Sequence, residues 1–144
     1  MQPLVKDLPS CVKDDNDFLR KIRDINNEHD LPPGTILATW DVKSLYTNIP
    51  TSGGMEGCRY FLSSNGRSIN VINIVMNFIS LILNCNIFRF GNSHYIQKCG
   101  TAMGTKMAPS YANLFMGFVE KDLLERCLKK PLVWFCYIDD ILSI

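Results

Sequence analysis

The sequence lacks the cysteine and histidine spacings that mark zinc and redox sites. Its six cysteines, at positions 11, 58, 85, 99, 127 and 136, form no CxxC pair, and neither His29 nor His94 has a cysteine at ligand spacing. The N-terminal segment also lacks the uninterrupted apolar core of a secretory signal, because Lys6 and Asp7 interrupt it. We therefore expect an intracellular chain with reduced thiols.

Long apolar runs and an excess of charge are absent too. The most apolar stretch, 69–83, is shorter than the roughly twenty residues that a bilayer span needs, and its polar residues recur every three or four positions. This pattern predicts a mostly buried helix with one polar stripe. Fifteen Lys and Arg against fourteen Asp and Glu give a net charge of +1, so the chain as a whole does not attract nucleic acid or an anionic membrane.

What is present indicates one globular α+β domain of 144 residues. Asp15 or Asn16 can begin a helix with Phe18 and Ile22 on its apolar face. The segment 36–40 predicts a strand buried on both faces, because polar residues do not alternate along it. The other elements expected are a hairpin at 85–97, a helix from Pro109 to about 128, and strands at 133–138 and 141–144 with Asp139 and Asp140 between them.

Acidic residues are scarce beyond the first thirty positions. Only Asp41 and Glu56 occur before position 119, and only Asp139 and Asp140 occur after position 130. Three of these four adjoin apolar strands, where an unpaired carboxylate is costly, and few basic residues lie nearby. Two interpretations follow, a solvated turn or a site where oxygen ligands hold divalent cations, and the spacing alone favours the turn.

Three segments in fixed order resemble the palm motifs of reverse transcriptases. They are TWDVKSLYTNIP at 39–50, GTAMGTKMAPSYAN at 100–113 and YIDD at 137–140. The amino-acid sequences of the first two segments are most similar to those of Penelope-like retroelements, a group similar to telomerase reverse transcriptase. The resemblance covers about residues 1–144 and implies a partial reverse transcriptase domain, with part of the fingers and the palm but without the thumb.

The resemblance also implies a fold and a reaction. The fold is α+β, with a polymerase palm-type antiparallel sheet backed by helices. The reaction is RNA-directed DNA synthesis by the two-metal mechanism, in which carboxylates from different strands bridge two Mg²⁺ or Mn²⁺ ions. The catalytic carboxylates would be Asp41, Asp139 and Asp140, and the backbone carbonyl of Val42 would be a further metal ligand.

Substrate contacts are implied in the same way. By resemblance, Tyr46 would lie beneath the sugar of the incoming nucleotide and exclude a 2′-hydroxyl, although a buried aromatic side chain with a hydrogen-bonded tip is the competing interpretation. For Lys106, an ordinary solvated lysine competes with a phosphate contact. The implied nucleotide-binding residues are Val42, Tyr46, Gly104 and Tyr137, and the implied template or primer contacts are Gly100, Lys106 and Pro109.

The implied partners are an RNA template, a DNA primer and deoxynucleoside triphosphates, without a membrane and with the oligomeric state open. Within an intact element we expect a nuclear location. Two alternatives remain: an inactive retroelement remnant with at most weak nucleic-acid binding, and a metal-dependent nuclease that shares only the Asp pair. The Tyr46 and Gly104 matches argue against the nuclease. We expect little polymerase activity from the isolated chain, and self-association through apolar surface exposed around 141–144.

Overall fold

The structure, a computed structural model, describes residues 1–28 and 31–144, so His29 lies outside the described residues. Within them it contains helices and antiparallel strands, which confirms the expected α+β class. The helices are α1 Gln2–Lys6, α2 Asp15–Glu28, α3 Leu45–Asn48, α4 Thr51–Ser64, α5 Ile69–Asn84 and α6 Ala108–Arg126. The strands are β1 Ala38–Asp41, β2 Ile87–Phe90, β3 Ser93–Ile96, β4 Trp134–Tyr137 and β5 Asp140–Ser143.

A three-stranded antiparallel sheet in the order β1-β5-β4 joins distant parts of the sequence. The N-terminal segment extends this sheet, because Cys11 forms a parallel bridge with Cys136 of β4. Two backbone hydrogen bonds make the bridge: Val12 N–H donates to the Cys136 carbonyl at 2.9 Å, and Cys136 N–H donates to the Ser10 carbonyl at 2.8 Å. The bridge holds the start of the chain beside the YIDD segment.

Helix α6 forms the centre of the core and packs mainly against α4. It begins as predicted, with Pro109 in its first turn, where the missing N–H of proline costs no hydrogen bond. It ends at Arg126 because Cys127 is extended. Tyr111 is fully buried, and a Cβ built on Gly54 would lie 2.0 Å from its hydroxyl oxygen, so this close contact between α4 and α6 needs a glycine.

Local hydrogen bonds explain where α2 begins. The Asp14 carboxylate accepts a hydrogen bond of 2.8 Å from the backbone N–H of Asp17. The Asp17 carboxylate in turn accepts one of 3.1 Å from the N–H of Lys13. The first bond satisfies an N–H of the first helical turn, which has no helical partner, and the second holds the Asp17 carboxylate against the preceding loop, so α2 starts at Asp15.

The prediction of a strand buried on both faces at 36–40 was wrong. Strand β1 begins at Ala38 and is largely exposed; Ile36 and Trp40 are 77% and 58% exposed. The reason is its place in the sheet, because β1 is an edge strand that pairs only with β5 among the described strands. Apolar composition alone does not reveal an edge position.

Helix α5 confirms the predicted helix but not its predicted burial. One stripe at helical spacing is buried, formed by Ile72, Met76, Ile79 and Leu83. Its other apolar side chains are exposed, and Phe78 is 63% exposed. Only α4 packs closely against α5 within the described part of the chain, and one neighbouring helix covers one face. None of the helices in the ranges given above has the length and apolar character to cross a membrane.

The predicted hairpin forms from β2 and β3, whose residues are all exposed. Gly91 begins its two-residue turn with φ of +61°, a conformation that glycine adopts without steric cost. By contrast, the apolar surface expected around 141–144 is mostly covered. Ile141 is buried and residues 142–144 are half-buried; Ile144 exchanges backbone hydrogen bonds with Val133 and accepts one from the N–H of Leu132. Much of the exposed apolar surface lies on α5, on the hairpin and around β1.

Candidate active site

A strained turn connects β4 to β5. Tyr137 pairs with Asp140, so the two turn residues are Ile138 and Asp139 rather than the predicted Asp139 and Asp140. Ile138 has φ of +58°, which costs a residue with a Cβ about 1–2 kcal/mol and is rarest for β-branched side chains. Strain of this kind concentrates at functional sites because surrounding structure must hold it in place.

Three aspartates meet at this end of the sheet. Asp41, the last residue of β1, lies directly opposite Asp140, the first residue of β5. Directly paired residues project on the same face of a sheet, so these two carboxylates share one face. The third, Asp139, is in the adjacent turn, and its carbonyl accepts a hydrogen bond of 2.9 Å from the N–H of Val42.

The surroundings of the three aspartates are open and contain no cationic partner within the described ranges. Asp41 and Asp140 are exposed, Asp139 is half-buried, and none of them forms an ion pair there. Their oxygen donors match the preference of Mg²⁺ and Mn²⁺. Across the same residues, however, no group of three or more His, Cys, Asp or Glu side chains has the geometry to hold a metal ion. The backbone pairing places the three aspartates close together, but their carboxylates do not converge on a common point.

Tyr46 lies close to these carboxylates. Ser44, with φ of +53°, turns the chain from β1 into α3 and so brings Tyr46 toward the site. Burial raises the pKa of the Tyr46 phenol, and electrostatic interactions with Asp139 and then with Tyr137 raise it further. The side chain is half-buried, and its hydroxyl forms no hydrogen bond within the described chain. Its ring packs against the hydrophobic core, so the contact between Tyr46 and the sugar of a nucleotide stays a prediction beside the competing interpretation.

The loop that follows β3 packs against α3. Gly100 N–H donates to the Ile49 carbonyl at 3.1 Å, and Thr101 N–H donates to the Tyr46 carbonyl at 2.7 Å. A Cβ on Gly100 would lie 2.0 Å from that Tyr46 oxygen, and Gly100 also has φ of +71°. The close approach of Gly100 is thus to the chain itself, and a contact between Gly100 and the template stays a prediction.

The remaining predicted substrate residues are accessible. Gly104, Lys106 and Pro109 are exposed, as is Tyr137. No atom lies within 4 Å of a Cβ built on Gly104, so its backbone faces open space. Val42 is half-buried beside Asp41. Of these residues, Pro109 and Tyr137 line one groove together with Ile138 of the turn.

A groove beside the turn contains residues that the sequence did not indicate. It has a volume of about 320 Å³, and Lys6, Lys13 and Ser110 line it together with Pro109 and Tyr137. Ser110 is only 8% exposed. Ser110 lies in the first turn of α6, where N–H groups favour anions. We call this the lysine groove.

The opposite side of the turn has the opposite charge. A second cavity of about 260 Å³ lies between α2 and the sheet, and its charged residues are Asp14, Asp15 and Asp140. The lysine groove contains no carboxylate among its lining residues. A polyanion that approaches the three aspartates is therefore attracted along the lysine groove and repelled from the second cavity. This difference in charge depends on the backbone pairing of Cys11 with Cys136, which are far apart in sequence. No local sequence signal therefore indicates it.

Comparisons with known proteins show which family the chain belongs to. Residues 1–144 match the family described as "Reverse transcriptase (RNA-dependent DNA polymerase)". Among curated proteins, the telomerase reverse transcriptase of Oryza sativa subsp. japonica is 35% identical over 46 residues, which are 32% of this chain and 4% of that protein.

Two solved telomerase structures share the fold. The apo telomerase of Candida tropicalis, truncated from its C-terminal domain, superposes with a TM-score of 0.74 at 13% identity, over 99% of this chain and 32% of that chain. Telomerase of Candida albicans, in complex with a fragment of telomeric RNA, gives 0.74 at 14% identity, over 98% of this chain and 27% of that one. The chain thus spans about a third or less of these relatives. It belongs to the reverse transcriptase (RNA-dependent DNA polymerase) family.

Proposed function

We propose that this chain carries the catalytic centre of an RNA-directed DNA polymerase, with Asp41, Asp139 and Asp140 as its catalytic carboxylates. The observation that carries the proposal is the register of the sheet, which sets Asp41 opposite Asp140 and leaves Asp139 in the adjoining turn. Membership of the family supports the reaction class. The strained φ of Ile138 supports a functional role for the turn.

The chemistry of the donor set suits Mg²⁺ or Mn²⁺, although within the described residues the side chains do not converge on one point. The set consists of oxygen atoms, namely the three carboxylates and the backbone carbonyl of Val42, and reverse transcriptases in general use divalent ions. When bound, such ions activate the primer 3′-hydroxyl and stabilise the leaving pyrophosphate. Asp41 and Asp140 are exposed, so an ion can reach their carboxylates from solvent.

The chain's own side chains would select and position the substrates. The Tyr46 ring would pack beneath the sugar of a deoxynucleoside triphosphate and leave no room for a 2′-hydroxyl. Tyr137 and the open backbone at Gly104 would contact the same nucleotide. The lysine groove, continued by Lys106 and Pro109 and supported by Gly100, would hold the phosphodiester backbone of an RNA template or a DNA primer. The Candida albicans relative, in complex with telomeric RNA, supports an RNA partner.

The finer assignments belong to this proposal as well. The amino-acid sequences of the first two motifs support a Penelope-like element. If the element is intact, its reverse transcriptase would act in the nucleus. The share of the telomerase chains that is covered, 27–32%, supports a partial domain with palm and some fingers, assisted by a thumb outside these residues. An inactive remnant is the alternative, and it would have the same fold.

Primer extension on an RNA template tests the proposal. The reaction contains Mg²⁺ and deoxynucleoside triphosphates, and it compares the chain with Asp139→Asn and with Asp122→Asn, an exposed α6 aspartate that pairs with Arg126. We expect extension that is lost in Asp139→Asn and retained in Asp122→Asn. Extension that survives in Asp139→Asn would contradict the assignment. Equal, undetectable extension by all three proteins would favour the inactive remnant if Mn²⁺ also failed to broaden the NMR signals of residues 41 and 139–140.

We expect low activity from the 144-residue chain alone. Positioning of reactants contributes about 7–11 kcal/mol to reactions of this kind, and the chain spans only about a third of its structural relatives. At a net charge of +1 it also has little overall attraction for primer and template. The assay therefore needs low salt and a high protein concentration.

A further inference from the structure

The central part of the sequence contains no acidic residue. Neither Asp nor Glu occurs between positions 57 and 119, whereas five cations occur there: Arg59, Arg67, Arg89, Lys98 and Lys106. All five are exposed, and none of them forms an ion pair among the described residues. The net charge of +1 therefore hides a local excess of positive charge, which attracts polyanions.

The hairpin of β2 and β3 lies within this segment and separates aromatic from cationic side chains. Phe88 is paired with Tyr95, so both project from one face, and Phe90 projects from that face too because side chains alternate along a strand. Arg89 and His94 form the next pair and project from the other face. Neither strand packs closely against a helix in the described part of the chain, so both faces are open to solvent.

The aromatic face of the hairpin is exposed and already ordered. Phe88, Phe90 and Tyr95 are between 47% and 75% exposed. The rings of Phe88 and Tyr95 stack, with centroids 5.6 Å apart and an angle of 24° between their planes. This stack restrains both rings, so a further planar group can bind against them with little loss of side-chain entropy.

The base of the hairpin is fixed beside the loop that carries predicted substrate contacts. Gln97 N–H donates to the Asn86 carbonyl at 2.9 Å, and the Gln97 side-chain amide donates to the Cys99 carbonyl at 2.8 Å. Gly100 follows directly, and it packs against α3 at the start of the loop that contains Lys106. The hairpin is therefore connected by a short, hydrogen-bonded segment to the neighbourhood of the three aspartates.

We propose that the aromatic face of this hairpin binds single-stranded nucleic acid, whose unpaired bases stack on Phe88, Phe90 and Tyr95. Charge complementarity selects this occupant, because Arg89 and Lys98 attract phosphates and no acidic residue within 57–119 repels them. A ribbon of two strands is only about 5 Å wide between strand axes, so the long Arg89 side chain reaches phosphates that pass along its edge. The inference rests on the proposed function only in naming the unpaired RNA template as the strand that would bind there.

Fluorescence anisotropy tests the proposal with three labelled probes: oligouridine, oligothymidine and a blunt RNA duplex, each about ten nucleotides long. Phe88→Leu keeps an apolar side chain but removes the ring, so it should weaken binding of both single strands about tenfold. It should leave duplex binding unchanged, because a duplex keeps its bases stacked inside. Stacking does not read the 2′-hydroxyl, so RNA and DNA single strands should bind within about threefold of each other. An equal loss for duplex and single strands, or binding of the RNA strand alone, would overturn the proposal.

Matched variants separate stacking from general apolar adhesion. Phe88→Tyr keeps a ring and should bind like the unmodified chain. Phe90→Leu is a second test that leaves the Phe88–Tyr95 stack intact, because Phe90 pairs with Ser93. Phe78→Gln removes an exposed aromatic side chain of α5, outside the hairpin, and should not change binding of oligouridine. Unchanged binding in both leucine variants, or an equal loss in Phe78→Gln, would contradict the proposal; the latter would indicate adhesion or self-association instead.

A salt series tests the contribution of charge. Each phosphate contact to a single strand contributes about 0.7 to the slope of log affinity against log salt, so Arg89→Gln should lower the slope for oligouridine by about that amount. Lys129→Ala, at an exposed position outside the hairpin, should keep the slope. An unchanged slope in Arg89→Gln, or an equal decrease in Lys129→Ala, would exclude the hairpin as the place where the phosphates bind.

The binding assay needs no catalysis and so is independent of the primer-extension test. Asp139→Asn, which should lose extension, removes a negative charge outside the hairpin and should bind oligouridine at least as tightly as the unmodified chain. Weaker binding in Asp139→Asn than in Phe88→Leu would contradict the proposal, because it would place the single strand at the aspartates. Binding that is lost only in the hairpin variants supports the stacking site whether or not the chain extends a primer.

Discussion

The backbone N–H of Val42 donates a hydrogen bond of 2.9 Å to the carbonyl oxygen of Asp139. This bond continues the β1–β5 pairing by one step beyond Asp41 and Asp140 and reaches into the turn. It therefore fixes the turn relative to β1 and helps to hold Ile138 in its strained conformation. This backbone hydrogen bond connects the segment 39–50 with the YIDD segment, almost a hundred residues away in sequence. Because both groups are backbone groups, the connection does not depend on the side chains of the site.

Gly100→Ala should destabilise the protein strongly. The new Cβ would lie 2.0 Å from the Tyr46 carbonyl oxygen, and φ of +71° is unfavourable for alanine. We expect a loss of about 2–4 kcal/mol in the free energy of unfolding, measured in urea. Gly91→Ala is the matched control, because Gly91 has φ of +61° but no atom near its Cβ position, and it should cost about 1 kcal/mol. Equal losses would show that the loop does not pack on α3.

Exposed apolar surface on α5 and the hairpin should cause self-association. Phe78 is among the most exposed apolar side chains of α5, and burying it in a dimer contributes about 1.5–3 kcal/mol. Phe78→Gln should therefore weaken dimerisation about tenfold or more in sedimentation velocity experiments. Leu19→Gln, at an exposed position on α2, should leave it unchanged. The reverse order of effects would place the contact on α2.

Sequence patterns identified the elements well where the signal was local. Apolar periodicity predicted the helix at 69–84, and turn residues predicted the hairpin. The amino-acid sequences of the motifs indicated Asp41 and YIDD. Burial of α5 could not be predicted, because periodicity shows which face is apolar but not how many neighbours cover it. The turn position was wrong for a similar reason. Aspartates favour turns, but the pairing of Tyr137 with Asp140 placed Ile138 there instead.

The lysine groove could not be predicted from the sequence at all. In the sequence, Lys6 and Lys13 look like ordinary surface lysines. In the fold, the parallel backbone pairing of Cys11 with Cys136 places them beside the start of α6. Ser110 is likewise an unremarkable residue within a helix. A pairing across 125 positions leaves no periodic or compositional mark, so residues of this kind appear only in the folded chain.

Lys6→Ala and Lys13→Ala should weaken binding of an RNA–DNA hybrid. Each lysine that contacts a phosphate contributes about 0.7–0.9 to the slope of log affinity against log salt, so each variant should lower the slope by about that amount. Lys129→Ala, at an exposed position outside the groove, is the control and should leave the slope unchanged. Fluorescence anisotropy over a salt series measures the slope. Identical slopes for all four proteins would exclude the groove as the path of the nucleic acid.

Magnesium should stabilise the folded chain through the three aspartates. A ligand that binds only the folded state adds RT ln(1 + [L]/Kd), which is about 1.4 kcal/mol at ten times the dissociation constant and raises the melting temperature of a chain this size by about 3–6 °C. We expect that rise at millimolar Mg²⁺ and its loss in Asp139→Asn, which keeps the turn but removes one charge. Asp122→Asn, which removes a charge far along α6, should respond to Mg²⁺ like the unmodified chain. A control with sodium chloride at the same ionic strength shows how much of the change in melting temperature comes from screening of charges. A melting temperature that Mg²⁺ does not change, or one that rises equally in Asp139→Asn, would mean that the carboxylates do not form a metal site in this chain.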